Sequence, residues 1–580
     1  MIESTIPEIF FETAGKLGNK PALLYKRSGV YFPITYKELA EKVKVFASAL
    51  EKFGVKKGER VAILSENRPE WVIADLAIMS IGAVTAPLHT TFSPTAIINV
   101  LNHCEAKILI VSNSNLLHKV LLGQNDLEYL EKIIFIEDMT AIQKETLTKG
   151  KIFGWKSIFS RNDANHYEKV FLDSEDICSV IYTSGTTGMP KGVLLTHRNF
   201  LSNVEAVNYA VPVKASDVFL SFLPLSHVLE RTAGYYVPLL LGATIAYAEN
   251  IKQLPSNLRQ VRPTILISVP RIFEKFHDKI WDSINKGSPF QKKMFKWALK
   301  QKKESMRYWF ADLLVFSKIR QKMGGRLRLT ISGGASLNEK VARFFLKIGF
   351  IVVEGYGLTE TSPVVSTNRE KDLKVGTVGK PIFGTKVKIS NEKEILVKGM
   401  GVFESYLKNE EETNKCFDED GWFKTGDMGF IDKEGFLTVV GRKKEMIVTS
   451  GGKNVWPEPI ENMINDDRFV SQSIIIGNKR KFIASLIAPD WEEIDNYLKE
   501  NKIPLKDHEK LIVDKDIIQI FQKRIDEKIN PNLSDYEKIK KFKLLPREFS
   551  QEKDELTPTL KLRRHVIEQH YQREIEELFE

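Results

Sequence analysis

Between two short apolar runs, residues 177–181 and 193–195, the chain carries Tyr182-Thr183-Ser184-Gly185-Thr186-Thr187-Gly188-Met189-Pro190-Lys191-Gly192. Apolar runs of that length read as buried strands, so the segment between them is most simply a loop joining two strands. The loop holds four aliphatic hydroxyls, three glycines and one lysine. Glycine lets backbone N–H groups approach an anion, hydroxyls donate further hydrogen bonds and lysine adds a movable positive charge, which together describe a cradle for phosphate. No Gly-Lys-Ser/Thr follows four intervening residues, so this is not a Walker loop. A flexible Gly/Ser/Thr turn would use the same residue types.

Around this loop the pattern alternates. Residues 36–53 and 69–79 carry helical spacing, and residues 60–64, 83–86, 108–111 and 133–136 read as strands. Such alternation predicts an α/β architecture with a largely parallel sheet. A length of 580 residues exceeds one core and predicts at least two domains. The excess of 85 basic over 75 acidic side chains fits anionic ligands such as nucleotides and coenzyme A, or an anionic membrane surface. No RNA- or DNA-binding motif accompanies that charge, so no nucleic-acid partner is expected. Cys104, Cys178 and Cys416 lie far apart in no metal-spaced or Cys-x-x-Cys pattern, which predicts a reducing, cytoplasmic setting. Residues 1–16 lack the basic and apolar regions of a signal peptide. The apolar stretch 71–88 contains Asp75, Gly82 and Pro87 and reads as a buried helix followed by a strand rather than a membrane span.

Taken whole, Thr183-Ser184-Gly185-Thr186-Thr187-Gly188-x-Pro190-Lys191-Gly192 resembles the signature loop of the adenylate-forming superfamily, which comprises acyl-CoA synthetases, luciferases and peptide-synthetase adenylation domains. A second string, Gly355-Tyr356-Gly357-Leu358-Thr359-Glu360-Thr361, resembles that superfamily's other diagnostic motif. The resemblance implies that the loop, Thr186 included, and Lys191 hold the β- and γ-phosphates of ATP. It implies that Tyr356 stacks on adenine beside Gly355, that Thr359 bonds the α-phosphate and that Glu360 holds Mg²⁺, a hard cation suited to carboxylate and phosphate oxygens. At Gly333-Gly334 the missing side chains would let a flat base or an acyl chain lie against backbone, although a tight turn needs the same residues.

Pro224-Leu225-Ser226-His227-Val228-Leu229-Glu230-Arg231 is similar to the segment that lines the carboxylate and acyl site in the long-chain branch, which makes His227 a candidate. Some long-chain relatives place a tryptophan gate four residues after this histidine, where this chain has Arg231. In Gly421-Trp422-Phe423-Lys424-Thr425-Gly426-Asp427 the family pattern makes Asp427 a bidentate acceptor for ribose hydroxyls. Arg442 would contact ribose and Lys444 would be a hinge, dividing the chain into an adenylation domain, 1–441, and a mobile C-terminal domain, 442–580. Beyond the hinge, Gly451 and Gly452 would line a coenzyme A channel. Lys561, in Pro558-x-x-Lys561, would complete the adenylation site, with Leu560 replacing the usual glycine as in the long-chain branch.

Residues 285–324 are basic, with Lys292, Lys293, Lys296, Lys300, Lys302 and Lys303 among their cations against only Glu304 and Asp312. Phe290, Met294 and Trp297, then Met306, Trp309, Phe310, Leu313 and Leu314, recur at helical spacing. Two readings fit: a helix lying in a membrane interface, or a helical insertion that packs these aromatics on the main domain and leaves its lysines in water.

The resemblance thus implies an α/β fold with a large N-terminal domain of α/β subdomains, a small β unit and a small mobile α+β C-terminal domain. The implied activity is ATP-dependent, Mg²⁺-supported ligation of a long-chain fatty acid to coenzyme A through an acyl-adenylate. Two alternatives stand beside it: an acyl-AMP ligase that loads a carrier-protein thiol, and a membrane-associated acyl-binding protein without turnover. The intact set Lys191, Glu360, Asp427, Arg442 and Lys561 speaks against the binder, which has no use for all of them.

Overall fold

A computed structural model describes residues 1–138, 151–161, 164, 167–183, 190–501, 503–504, 507–557 and 560–580. The chain forms two compact units: residues 1–388, 396–424 and 432–437 make the first, and residues 389–395, 425–431 and 438–580 the second.

Two sheets dominate the first unit. One has seven strands in the order Lys151–Gly154, Lys132–Phe135, Ile108–Val111, Arg60–Leu64, Val84–Leu88, Ile177–Thr183 and Lys191–Thr196. Every pair in it is parallel except the last, in which the two strands flanking the phosphate-loop sequence run antiparallel. The other has nine strands in the order Lys380–Pro381, Val364–Thr367, Val352–Gly357, Leu329–Ser332, Ile265–Ser268, Val218–Ser221, Thr244–Tyr247, Pro21–Arg27 and Val30–Thr35. Its pairs from Val352–Gly357 through Pro21–Arg27 are parallel and its margins antiparallel. The parallel strands are short and almost continuously apolar, as strands covered on both faces must be. The helix Pro69–Ser80, buried along its whole length, belongs to the core, and among the described residues no helix is long and apolar enough to cross a membrane.

A small sheet orders Thr385–Ile389, Glu394–Gly399, Phe423–Ile431 and Leu437–Arg442. The second unit contains the three-stranded sheet Val470–Ile476, Ile483–Pro489 and Ile539–Leu544, flanked by helices. Its first two strands form an antiparallel hairpin in which Ile476 pairs with Ala484, which leaves residues 477–482 to connect the strands.

Within 285–324 the helices Pro289–Lys300, Met306–Ala311 and Ser317–Lys322, with the wide helical turn Asp312–Phe316, bury Phe295, Ala298, Ala311, Val315, Phe316 and Ile319 in one apolar cluster. Of the side chains singled out by spacing, Met294 packs against that cluster and the others face the other way. Phe290, Trp297, Met306, Trp309, Phe310, Leu313 and Leu314 are all exposed. An insertion that packs those particular side chains on the domain is therefore not what forms.

Candidate active site

Several candidate residues of the first unit follow the carboxyl ends of its strands. In an open parallel sheet the strands end together, and loops leaving their carboxyl ends can converge on a ligand. Ser221 ends one strand and leads into Phe222–His227, Ser332 ends another and leads into Gly333-Gly334, and Gly357 ends a third and leads into Thr359-Glu360. Gly334 has φ +87°, a region that favours glycine. At Gly357 a Cβ would lie 1.8 Å from the Pro363 carbonyl oxygen, so only glycine permits this approach of backbone to backbone. Gly355 has no such constraint, since an added Cβ there would meet only ordinary contacts near 3.5 Å.

Glu360 sits in a single helical turn, Thr359–Thr361, where the Tyr406 hydroxyl donates to its Oε1 at 2.8 Å and the Phe403 amide to its carbonyl at 2.8 Å. Lys191 opens the strand Lys191–Thr196; its ammonium lies 5.2 Å from the centre of the Tyr406 ring and is ion-paired with Glu412. That pairing pulls the Glu412 carboxyl below its ordinary pKa. Segment 403–407 is knitted to the lysine strand, with the Leu194 amide donating to the Ser405 carbonyl at 3.1 Å and the Leu407 amide to the Gly192 carbonyl at 2.7 Å. Tyr406 thus stands between the two groups assigned to phosphate and cation. Sequence reasoning did not find it, because a lone tyrosine outside both motifs carries no spacing signal. Thr183 ends the preceding strand, and Ser184, Gly185, Thr186, Thr187 and Gly188 lie outside the described residues.

His227 is half-buried and its Nδ1 accepts from the Leu229 amide at 3.2 Å, which leaves the ring proton on Nε2 in the neutral form. A second histidine accompanies it. His89 follows the strand Val84–Leu88, and its Nδ1 is 2.7 Å from the Ser226 hydroxyl, joining the carboxyl edges of the two sheets. Burial pushes the His89 imidazole down to about 4, so it is neutral near pH 7.

Arg231 is fully buried. It pairs with Asp75, donates from Nε to the Tyr236 hydroxyl at 2.9 Å and from Nη1 to Ser179 at 2.5 Å, and lies 5.4 Å from the Trp71 ring and 5.7 Å from the Phe200 ring. A side chain held by so many partners is a pillar of the core. Next to it Glu230 opens the π-helix Glu230–Tyr236 and is buried with both carboxylate oxygens lacking a hydrogen-bond partner among the described residues. Burial pushes its carboxyl up to about 8, with the nearby Ser221 hydroxyl opposing that shift. Glu354, at the foot of the second motif, is likewise raised, to about 7, first by burial and then by the charge of Glu339, although it accepts from the Leu337 amide at 3.3 Å.

The remaining candidates belong to the second unit. Asp427 is buried and its Oδ1 is 3.3 Å from the Arg442 Nε, so the two assigned ribose contacts are paired with each other. Lys444 is exposed in the single turn Lys443–Glu445, beside Lys443, which pairs with Glu392. Gly451 and Gly452 are exposed, and Gly452 has φ +71°. Lys561 closes a tight loop in which its amide donates to the Thr557 hydroxyl at 3.0 Å and its carbonyl accepts from the Thr557 amide at 2.8 Å. Desolvation and then the Arg442 charge lower the pKa of its ammonium, while Glu458, Asp427 and Glu445 raise it. The net shift is downward, although the Lys561 residue is exposed.

Residues 10–407 match the AMP-binding enzyme family and residues 444–580 match the AMP-binding enzyme C-terminal domain. The chain is 34% identical to the long-chain-fatty-acid–CoA ligase FadD15 of Mycobacterium bovis, over 96% of this chain and 94% of that protein. It is 31% identical to fatty acyl-CoA synthetase A of Dictyostelium discoideum, over 97% and 88% of the two chains. Among solved structures, the adenylation domain of a carboxylate reductase from Mycobacterium chelonae superposes with a TM-score of 0.81 at 20% identity, covering 99% of this chain and 91% of that one.

Proposed function

The chain belongs to the AMP-binding enzyme family, and from that premise we propose that it is an ATP-dependent long-chain fatty acid–CoA ligase. The observation that carries this reading is the identity of about a third, along nearly the full length of both chains, to a protein bearing that name.

A carboxylate is a poor acyl donor, because its carbon is shielded by negative charge and its leaving group would be oxide. Attack of the carboxylate oxygen on the α-phosphorus of ATP, with pyrophosphate leaving, gives a mixed anhydride; a thiol then attacks the acyl carbon and AMP departs. Both steps need positioning and neutralised charge more than they need a covalent nucleophile. In this proposal Lys191, freed from Glu412, holds the terminal phosphates together with Thr183 and the loop Ser184 to Gly188. Tyr356 and Gly355 receive the adenine, with Gly334 behind it. Thr359 bonds the α-phosphate, Asp427 and Arg442 hold the ribose, and Lys561 meets the carboxylate and α-phosphate. His227, with its ring proton on Nε2, borders the fatty acid carboxylate.

Mg²⁺ fits the donor chemistry: Tyr406 occupies Oε1 of Glu360, leaving Oε2 as a hard oxygen ligand. When bound, the ion would neutralise phosphate charge. Removal of Lys561 about a hinge at Lys444 would let Gly451 and Gly452 admit the pantetheine arm of coenzyme A. The domain division at 441/442 is part of the same proposal, as is peripheral contact with a membrane.

The test is formation of AMP and pyrophosphate from ATP, with and without coenzyme A, across acids from acetate to oleate. Multiple turnovers to acyl-CoA with an optimum at long chains are expected. Acyl-AMP that coenzyme A cannot discharge would indicate a carrier-loading ligase, and no turnover with any acid would leave the binding protein.

A further inference from the structure

Among the described residues 23 large apolar side chains are exposed, and seven of them fall within residues 290–314. Met306 is 79% exposed, Phe290 70%, Trp309 59% and Leu313 53%. Ordinary scatter places exposed apolar residues singly, so a cluster of this density asks for a partner. The packing needs of these helices are already met on their other side, where Phe295, Ala298, Ala311, Val315, Phe316 and Ile319 fill the cluster shared with Phe344 and Phe345. The exposed set is surplus to folding.

Its geometry is that of one face. Met306, Trp309, Phe310, Leu313 and Leu314 follow the three- and four-residue spacing of a helix, and the Trp309 and Phe310 rings meet edge to face at 4.9 Å. Phe290 and Trp297 stand on the neighbouring helix Pro289–Lys300, two turns apart. Cations surround that face. Residues 285–324 hold eleven Lys and Arg against Glu304 and Asp312, and Asp312 is already paired with Arg320. Lys293, Lys296, Lys300, Lys302, Lys303 and Arg307 are exposed and in no ion pair among the described residues.

We propose that this face, centred on Trp309 and Phe310, seats the protein on the surface of a bilayer containing anionic phospholipid. The charge selects the surface and the apolar side chains enter it. Acidic headgroups satisfy the unpaired lysines, tryptophan and phenylalanine settle at the headgroup level, and Leu313, Leu314 and Met306 reach the acyl boundary. Nucleic acid would answer the lysines but leave the leucines and methionine in water, and a soluble acidic protein needs no such density of apolar tips. The inference rests on the ligase reading only for its usefulness, since long-chain fatty acids partition into bilayers.

The test is flotation of the full chain with vesicles of phosphatidylcholine alone or with one-third phosphatidylglycerol, at 0.1 and 0.5 M NaCl. Binding to the anionic vesicles, weakened at high salt, is expected, with a blue shift of tryptophan fluorescence. The triple variant Trp309→Ser/Phe310→Ser/Leu313→Ser should lose at least ten-fold in partitioning, and Lys293→Glu/Lys296→Glu/Lys300→Glu should lose the preference for anionic lipid. Both should keep wild-type turnover on a fatty acid dissolved in detergent, because all six side chains are exposed and outside the site. Equal partitioning of wild type and the apolar triple, no binding to anionic vesicles, or binding to duplex DNA that the apolar triple retains would each overturn the proposal. Vesicle binding without acyl-CoA formation would sink the ligase reading and leave the surface standing; turnover without vesicle binding would do the reverse.

Discussion

Tyr406 makes the contacts of a positioning residue. Its hydroxyl fixes one oxygen of Glu360 and its ring faces the Lys191 ammonium, so one side chain orients both the cation ligand and the phosphate ligand. Tyr406→Phe keeps the ring and deletes the hydroxyl, and a hydrogen bond to a carboxylate contributes about 1.5–3 kcal/mol. We expect KM for MgATP to rise about ten-fold, with a raised Mg²⁺ requirement for nucleotide binding by calorimetry and little change in KM for the fatty acid. An equal rise in both KM values would make the effect structural. Glu230 makes a prediction in pH. Its carboxyl is raised by burial to about 8 from an ordinary 4.5, so the stability held by the neutral acid is complete below pH 4.5 and is lost as pH rises through about 8. Wild type should therefore lose stability relative to Glu230→Gln between pH 5 and 9, by a few kcal/mol. Parallel unfolding profiles for the two proteins over that range would contradict the assignment of a buried, unpaired acid.

At the scale of elements, the strand–loop–strand around residue 182 and the alternation through residue 136 were legible because apolar runs of four or five residues leave few other structures open. The carboxyl-edge placement of Gly334, Thr359 and Glu360 was not, since it follows from parallel pairing between segments far apart in sequence. The role of Arg231 was hidden for the same reason: nothing near it announces Asp75, 156 residues away. Helical spacing found the aromatics of 285–324, but periodicity identifies a face without saying whether that face is buried or bare. Arg231 joins the helix bearing Trp71 and Asp75, the strand bearing Ser179 and the π-helix bearing Tyr236. Removing one partner of a buried pair leaves an uncompensated charge and costs about 3–5 kcal/mol. Arg231→Leu should thus lower the unfolding free energy by that amount, and Asp75→Leu/Arg231→Leu should recover part of it, because no lone charge then remains. If the double variant is as unstable as the sum of the singles, the pair is not coupled as its geometry indicates.

For the whole molecule, the two sets of candidate groups lie in separate compact units: Lys191, Tyr406 and Glu360 in the first, Asp427, Arg442 and Lys561 in the second. Sequence motifs supplied every member of the two sets but Tyr406, which came, like the pairing of Asp427 with Arg442, only from folding. A chemistry in two steps that share the acyl-adenylate allows the units to serve the steps unequally. Lys561 offers a positive charge to a carboxylate and an α-phosphate, both of which are most negative before pyrophosphate leaves; in the thioester step that demand is gone. Lys561→Ala should therefore reduce formation of acyl-AMP by at least 100-fold, a loss of about 2.7 kcal/mol in transition-state stabilisation, while preformed acyl-AMP is still converted to acyl-CoA at near the wild-type rate. Gly452→Trp, at an exposed glycine whose φ of +71° disfavours a side chain, should show the opposite split, with adenylation kept and thioester formation lost. Separate assays of pyrophosphate release and of acyl-CoA formation from synthetic acyl-AMP measure the two half-reactions. If either variant depresses both to the same degree, the units do not divide the steps, and Lys561 is a structural lysine of the loop that its backbone closes on Thr557.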